Sequence, residues 1–356
     1  MTDIIIIGGG IAGLSAAARL SDHARIVVLE AETSLGYHAS GRSAALIEQN
    51  YGAPSVQALN RASVGYLQDG GYLSPRGLMI VAQAHERADF ERDTATLGAT
   101  AITPAEAMDF VPVLDPQKLA FAAYHADAHD IDTDRLLQDF ARMVRASGGT
   151  VETGQRVEQI SHADGEWEVT CGDRRFHAPT LINAAGAWAD TVAGMAGIRP
   201  MSIVPHRRSI ARIPAPGAHD IRSWPIFFGV NETWYAKPDA GFLLVSPADE
   251  DPVEPHDAWA EDLTLAQGLA LYEEMVTEPV ARLQSSWAGL RSFAPDRTLV
   301  LGRDPEVPEF VWCAGQGGYG FQTAPGASQL VADLVLGNPP NVDASVVAAL
   351  TPDRLR

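Results

Sequence analysis

The chain has 356 residues, 46% of them hydrophobic, enough for one large domain or two with a sizeable core. It carries 26 Lys and Arg against 45 Asp and Glu, a formal charge of −19 that repels phosphate backbones and anionic membrane surfaces and so excludes nucleic acid as a natural partner. Its two cysteines, Cys171 and Cys313, have no CxxC spacing, which argues against zinc or dithiol chemistry and predicts free thiols in a reducing cytoplasm.

Residues 4–20, IIIIGGGIAGLSAAARL, are the longest apolar stretch. The run is short for a membrane span, contains four glycines and follows Met1-Thr2-Asp3 without a basic start. It reads as part of a fold, not as a transmembrane segment or secretion signal. Ile4 to Ile7 suit a strand buried on both faces. Gly8-Gly9-Gly10-Ile11-Ala12-Gly13 matches GxGxxG and leads into a helix from Ala12 to Leu20. A second apolar run, Arg25 to Leu29, ends at Glu30. In such a unit Gly8 permits a tight turn, Gly10 lets a pyrophosphate approach the backbone, and Gly13 lets the helix pack close to the sheet. The helix N-terminus offers unpaired N–H groups to the phosphates, and Glu30 can accept from a ribose hydroxyl. An acid there favours FAD or NAD over NADP.

Further along come AETSLGYHASGRSAALIEQNYG (31–52), TLINAAGAWAD (180–190), WAGLRSFAPD (287–296) and AGQGGYGFQTAPG (314–326). In this order the motifs resemble the D-amino acid oxidase superfamily of flavoproteins, closest to the bacterial D-arginine dehydrogenase type. The resemblance runs from the first strand to the last glycine segment. It implies noncovalent FAD in a Rossmann-like α/β domain, with a second, mostly antiparallel β-sheet domain for substrate. Three motif regions far apart in sequence must meet at the cofactor. That places the FAD-binding domain in 1–75, 145–199 and 289–356, and the substrate-binding domain in 76–144 and 200–288.

By resemblance, Arg42, Ser43 and Ala44 lie by the flavin and pyrophosphate, with Arg42 offsetting phosphate charge. Val157, Ala185 and Gly186 fall on the adenine side, and Ile11 and Ala12 on the first turn. Gly315, Gly317, Gly318, Tyr319 and Gly320 form a turn before a helix from Phe321 to Leu336. That helix points its N-terminus at the flavin, where partial positive charge stabilises the reduced form. Arg208 and Arg291 match two carboxylate-binding arginines, since a guanidinium pairs bidentately with a carboxylate. Tyr235 matches a hydroxyl donor, and Tyr51 lies on a mobile lid. Strand alternation sends one of Arg207 and Arg208 inward, and the resemblance selects Arg208.

The sequence departs from the D-arginine type at two places. Leu78 stands where an acid would bind a guanidinium, and Leu46 where a histidine would stand. An apolar residue cannot pair with a buried cation, so neutral or apolar D-amino acids are expected. Glu48, beside Tyr51, is either a new negative contact or a solvated residue. His38 stands near the place where some flavoproteins link FAD covalently. The run HADAHDIDTD (125–134) looks like metal ligands, but acids before a helix usually cap it, and no metal is assigned. The implied reaction is oxidation of the amino acid Cα–N bond by hydride transfer to flavin N5, giving an imine that water hydrolyses to a 2-oxo acid and ammonia. The acceptor from the flavin is left open among oxygen, a quinone and another carrier. The alternatives are an oxidase of glycine, sarcosine or another secondary amine, and a flavin redox sensor.

Overall fold

The computed structural model describes residues 2–356, apart from the side chain of Ala218. Ile4–Ile7 is a strand with all four residues buried, at the centre of a six-stranded sheet. It pairs in parallel with Ile26–Leu29 on one side and Thr180–Asn183 on the other. Thr150–Glu152 and Phe310–Ala314 extend the parallel array, and Val300–Arg303 closes one edge antiparallel. Burial on both faces explains why nothing in Ile4–Ile7 or Ile26–Leu29 is polar. Ile4, Ile6, Ile26 and Val28 pack into one apolar layer; Ile5, Ile7, Val27 and Leu29 pack into the other.

The first layer is helical. Ile11–Leu20 lies against the long helix Gly320–Leu336 and against Thr133–Ala146. Leu136, Leu137, Phe140, Ala141 and Val144 enter this core. The sequence boundary at 144/145 therefore cuts a helix that belongs to the first unit. Its amphipathic face, which is all that local sequence reveals, does not say which sheet it covers. The opposite layer is a three-stranded antiparallel sheet of Gln159–Ala163, Glu166–Cys171 and Arg174–Ala178, whose Trp167 and Val169 cover the odd-numbered residues.

The second unit is an eight-stranded sheet, ordered Ser285–Phe293, Val204–Pro214, Phe242–Ser246, Tyr235–Asp239, Ile226–Gly229, Leu78–Ala82, Phe121–His125, Thr100–Ile102. All neighbours are antiparallel except Ile226–Gly229 with Leu78–Ala82. The mixed α/β architecture has the two components that the sequence implies: a doubly wound sheet and a mostly antiparallel one. The strand Ser285–Phe293 pairs with Val204–Pro214 along its whole length, so the expected boundary at 288/289 runs through a continuous strand. A division after Phe293 keeps the sheet intact.

Two glycines set the distance between the first strand and first helix. Gly8 has φ +111°, and a β-carbon there would lie 2.3 Å from the Ala184 carbonyl oxygen. A β-carbon on Gly13 would lie 2.0 Å from the Gly8 carbonyl oxygen. Both contacts are with backbone, which cannot rotate away. Gly13→Ala should therefore push the helix off the sheet at a cost of about 1–3 kcal/mol or more. A fall of several degrees in the thermal unfolding midpoint, with loss of bound flavin, is the expected result. An unchanged midpoint would show that the helix can step aside.

Candidate active site

A cleft of about 1900 Å³, its open mouth included, runs between the two sheets. Gly8, Gly10, Ile11 and Ala12 form its floor at one end, where the first helix begins. Gly10 precedes the helix and carries no side chain to cap it; the Ile11 N–H instead donates to Ser40 Oγ at 3.0 Å. Glu30 is buried beside this turn and accepts from the Gly9 N–H at 2.7 Å and the Glu32 N–H at 2.8 Å. Val157, Ala185 and Gly186 line the same end. Ser43 and Ala44 line the middle, and Gly317, Gly318 and Gly320 reach the far end with the start of the last helix. The segments that the sequence scatters over the chain thus meet along one cleft.

Three expected cofactor residues stand elsewhere. Gly13 lies behind the turn, setting the packing described above. Gly315 lines no cavity; it passes near the Thr298 carbonyl at φ +72°. Tyr319 faces a second cavity, packed edge-on against Tyr51 and Phe293. Arg42 does line the cleft, but its guanidinium is committed to protein. It donates to the carbonyls of Ala258 and Ala288, the latter at 3.0 Å, and pairs with Asp257. Its role in this structure is to tie the 249–261 loop across the cleft. His38 lies beside that tie, 3.2 Å from Glu32 Oε1, with its ring 4.6 Å from Trp188.

The far end of the cleft meets the second cavity, of about 1060 Å³, at Arg208, Arg291 and Gly318. Arg208 and Arg291 sit on adjacent antiparallel strands. Gly289 lies directly opposite Arg208, and His206 opposite Arg291, so the two arginines are diagonal neighbours on one sheet face. Gly289 leaves that face open between them. Gly318 lets the last turn pass closely, since a β-carbon there would touch the Arg291 guanidinium at 3.1 Å. Arg208 is buried, with Nε and Nη1 lacking any hydrogen-bond partner; only Nη2 reaches Glu250, at 3.4 Å. Burial, then the charge of Arg291, pulls Arg208 below its ordinary pKa. Burial acts on Arg291 the same way, but Tyr51, Tyr235, Glu232 and Glu250 around it outweigh this and hold it above its ordinary value. Two guanidinium groups facing one open space, one with unused N–H donors, form a site for a carboxylate. Tyr235 lines the cleft beside them, and Tyr51 lines the second cavity. Arg207 points the other way and pairs with Asp249, Asp251 and Glu261.

Leu46 and Leu78 line neither cavity. They pack in the apolar cluster of Ile80, Phe90, Leu97 and Phe228 that backs Tyr51 and Tyr235. Glu48 is neither solvated nor in the cavity. It is buried, with Oε1 accepting from the Asn50 N–H at 2.9 Å and Oε2 unpartnered, 3.4 Å from His125 Nδ1. The acidic run 125–134 is spent on structure. Asp132 caps the helix Thr133–Ala146, and Asp130 pairs with Arg76 and with buried Lys237 at 2.9 Å. Sequence reasoning missed Ser40 and Glu232. Ser40 stood in a quoted motif; Glu232 had no local signal.

The family model for FAD dependent oxidoreductases (DAO) matches residues 3–334. The chain belongs to that family. It is similar to bovine (Bos taurus) FAD-dependent oxidoreductase domain-containing protein 1, at 23% identity over 94% of this chain and 81% of that one. Human mitochondrial dimethylglycine dehydrogenase is 22% identical over 95% of this chain, which spans 43% of that protein. The crystal structure of glycine oxidase from Geobacillus kaustophilus shares the fold, with TM-score 0.84 and 22% identity over 98% of each chain. The finer likeness to D-arginine dehydrogenases is not what these matches bring out. FAD is therefore the cofactor, and the chain is a flavin oxidoreductase. The residues present fit it: a β-carbon-free turn, a helix start whose preceding Gly10 supplies no side-chain cap, and Glu30 lie together at one end of the cleft. Among the described residues no helix is long and apolar enough to cross a membrane.

Glu48 gives a test of how the back of the site is built. Burial, chiefly, holds its carboxyl above the usual range; the Asn50 N–H and His125 act in the opposite direction. The folded chain thus keeps this proton to higher pH than the unfolded chain does. Stability falls as pH rises from the unfolded to the folded value, and the full cost stands above that window. Glu48→Gln should raise the thermal midpoint at about pH 8 and change it less at about pH 5. A lower midpoint at both would show that the pairing with His125 outweighs burial.

Proposed function

We propose that the chain oxidises the Cα–N bond of a D-amino acid with a neutral or apolar side chain, yielding an imine that water converts to a 2-oxo acid and ammonia. The observation that carries this reading is the buried Arg208, with two unused donors, diagonal to Arg291 where the cofactor cleft meets a second cavity. An amino acid carboxylate satisfies those donors and offsets the mutual repulsion of the two cations. Tyr235 adds a hydroxyl at the same end. FAD supplies the acceptor for the two electrons. The protein's own part is to hold the carboxylate so that Cα has one place to lie, and to wall the side chain with Leu97, Phe228 and Phe293. The D configuration rests on the match of Tyr51, Arg208, Tyr235 and Arg291 to D-amino acid dehydrogenases. The buried free thiols of Cys171 and Cys313 suit a reducing compartment, and we place the enzyme in the cytoplasm.

The names of dimethylglycine dehydrogenase and glycine oxidase among the similar proteins favour a second reading, oxidation of glycine or an N-methylated amino acid. Both readings keep the carboxylate and the two arginines. Anaerobic flavin bleaching against D- and L-amino acids, glycine, sarcosine and dimethylglycine separates them. D-Met, D-Leu or D-Phe should be the best substrates. Bleaching by N-methyl glycines alone would establish the second reading, and bleaching by none would leave a redox sensor.

Arg291→Ala should lower kcat/KM by roughly thirtyfold to several thousandfold, on the order of 2–5 kcal/mol, with normal flavin occupancy. Arg291→Lys keeps the charge but loses the planar fork, and should recover part of the loss. Near-normal kcat/KM in Arg291→Ala, or loss of flavin as its main defect, removes this arginine from the carboxylate site.

A further inference from the structure

Among the described residues three acids line the second cavity, and two of them are paired with arginines. Asp93 pairs with Arg92 at 3.2 Å and accepts from the Asn231 N–H at 2.6 Å. Glu250 is shared by Arg208 at 3.4 Å and Arg297 at 2.8 Å. Glu232 has one partner, the Tyr51 hydroxyl, which donates to its Oε2 at 2.9 Å. Among the described residues no cation lies within ion-pair distance of it. Its backbone sits at φ +51°, directly after Asn231 at φ +57°, a conformation disfavoured for residues with side chains. The bond from Asn231 to Asp93 pins this loop to the helix Arg87–Leu97.

An amino acid reaches this cavity as an ammonium, and the electron pair needed for oxidation is locked in an N–H bond. No residue so far described accepts that proton. We propose that Glu232, which lines the cavity and accepts the Tyr51 hydroxyl's hydrogen bond, draws the substrate's ammonium group and takes its surplus proton through Tyr51. The proposal rests on the amino acid reading above. The Tyr51 O–H proton passes to Glu232 Oε2 while the tyrosine oxygen accepts one from nitrogen. One N–H bond breaks and its pair stays on nitrogen. Tyr51 ends as it began, Glu232 ends as a neutral carboxylic acid, and no co-reactant is needed. Burial and the charge of Glu232 hold the Tyr51 hydroxyl protonated, which suits a relay and not a free base. The charged and titratable groups facing Glu232 are Arg208 and Arg291 from the sheet, Tyr51 from the lid and Tyr319 from the glycine turn, with Asp93, Arg92, Glu250 and its partner Arg297 beyond them. The carboxylate end of the substrate is then drawn to the arginines and the nitrogen to Glu232, the cavity acid without a cation partner among the described residues, so the two charges of a zwitterion read the two ends of the site.

The test is the pH dependence of kcat/KM, with flavin occupancy checked, in the wild type, Glu232→Gln and Tyr51→Phe. At about pH 7 both variants should fall by roughly a hundredfold or more. At about pH 10, where substrate arrives as the free amine, both should approach the wild type. A second readout needs no turnover. 2-Aminoisobutyrate has no α-hydrogen and cannot be oxidised; the wild type should bind it roughly tenfold tighter than isobutyrate in calorimetry, and Glu232→Gln should lose that preference. A wild-type pH profile in Glu232→Gln, a loss equal at all pH, or an unchanged preference would overturn the proposal. Failure of every amino acid to bleach the wild-type flavin would overturn the amino acid reading itself.

Discussion

The site depends on one unfavourable contact: two arginines held near each other on adjacent strands, with nothing of the protein's own to neutralise both. Arg208 is buried with two N–H donors unused, and Arg291 lies diagonally across the gap left by Gly289. A protein that only needed stability would fill such a space with apolar side chains. Keeping the cations requires surroundings that cannot collapse onto them. That requirement accounts for the rigid nine-residue pairing of Ser285–Phe293 with Val204–Pro214 and for the glycine turn at Gly317–Gly318. The repulsion is also what makes the site selective, because a carboxylate gains from both guanidinium groups while a neutral ligand gains from neither.

The same strand supplies the restraint on the other face. Arg207 points away from the cleft and gathers Asp249, Asp251 and Glu261. Those contacts fasten a loop that continues to Asp257 and Ala258, where Arg42, at the end of the turn Ser40–Arg42, receives it. One strand thus contributes a partly satisfied cation inward and a saturated cation outward. The saturated one fixes the loop that carries Glu250, the one acid that Arg208 pairs with among the described residues. Across the cofactor cleft the Arg42 tie runs beside a small apolar cluster in which Ala187 and Trp188 of the first unit meet Ala258, Ala288 and Leu290 of the second.

Much of the architecture was legible where the signal is local. Four β-branched residues, a glycine turn, a small-residue helix and an acid lie within one short segment, and each piece acts on its neighbour. The alternation that sends Arg208 inward and Arg207 outward is likewise local, although choosing between them required resemblance. What could not be read depends on partners far away in the chain. Arg42 looked like a phosphate ligand because nothing near it reveals carbonyls at Ala258 and Ala288. The helix Thr133–Ala146 shows an apolar face but not which sheet that face meets. Glu48 was open between a new negative contact and a solvated residue; His125 and the helix Gly320–Leu336, which bury it, are far away in the chain. Glu232 is a lone acid in an Asn-Glu-Thr turn whose meaning comes from Tyr51, 181 positions earlier.

Tyr51 is placed by a chain of contacts that runs back into the buried polar node around Glu48. The Glu48 carboxylate fixes the Asn50 N–H, and the Asn50 side chain donates to the Leu97 carbonyl at 3.1 Å, which His125 also reaches at 3.1 Å. Asn60 holds the Glu48 and Tyr51 carbonyls, and Gln57 holds those of Asn50 and Gly52. Every backbone carbonyl of this turn that an Asn or Gln side chain holds is one that a moving lid would have to release. The segment expected to be a mobile lid is, in this structure, anchored at its base on the helix Pro54–Asp69, while its tip is held through a single side-chain hydrogen bond from Tyr51 to Glu232. Motion that opens the second cavity therefore costs least at the tyrosine and its loop partner, the same pair that meets the substrate's nitrogen. Access and proton transfer then share one contact, and the node behind it returns the tyrosine to the same place.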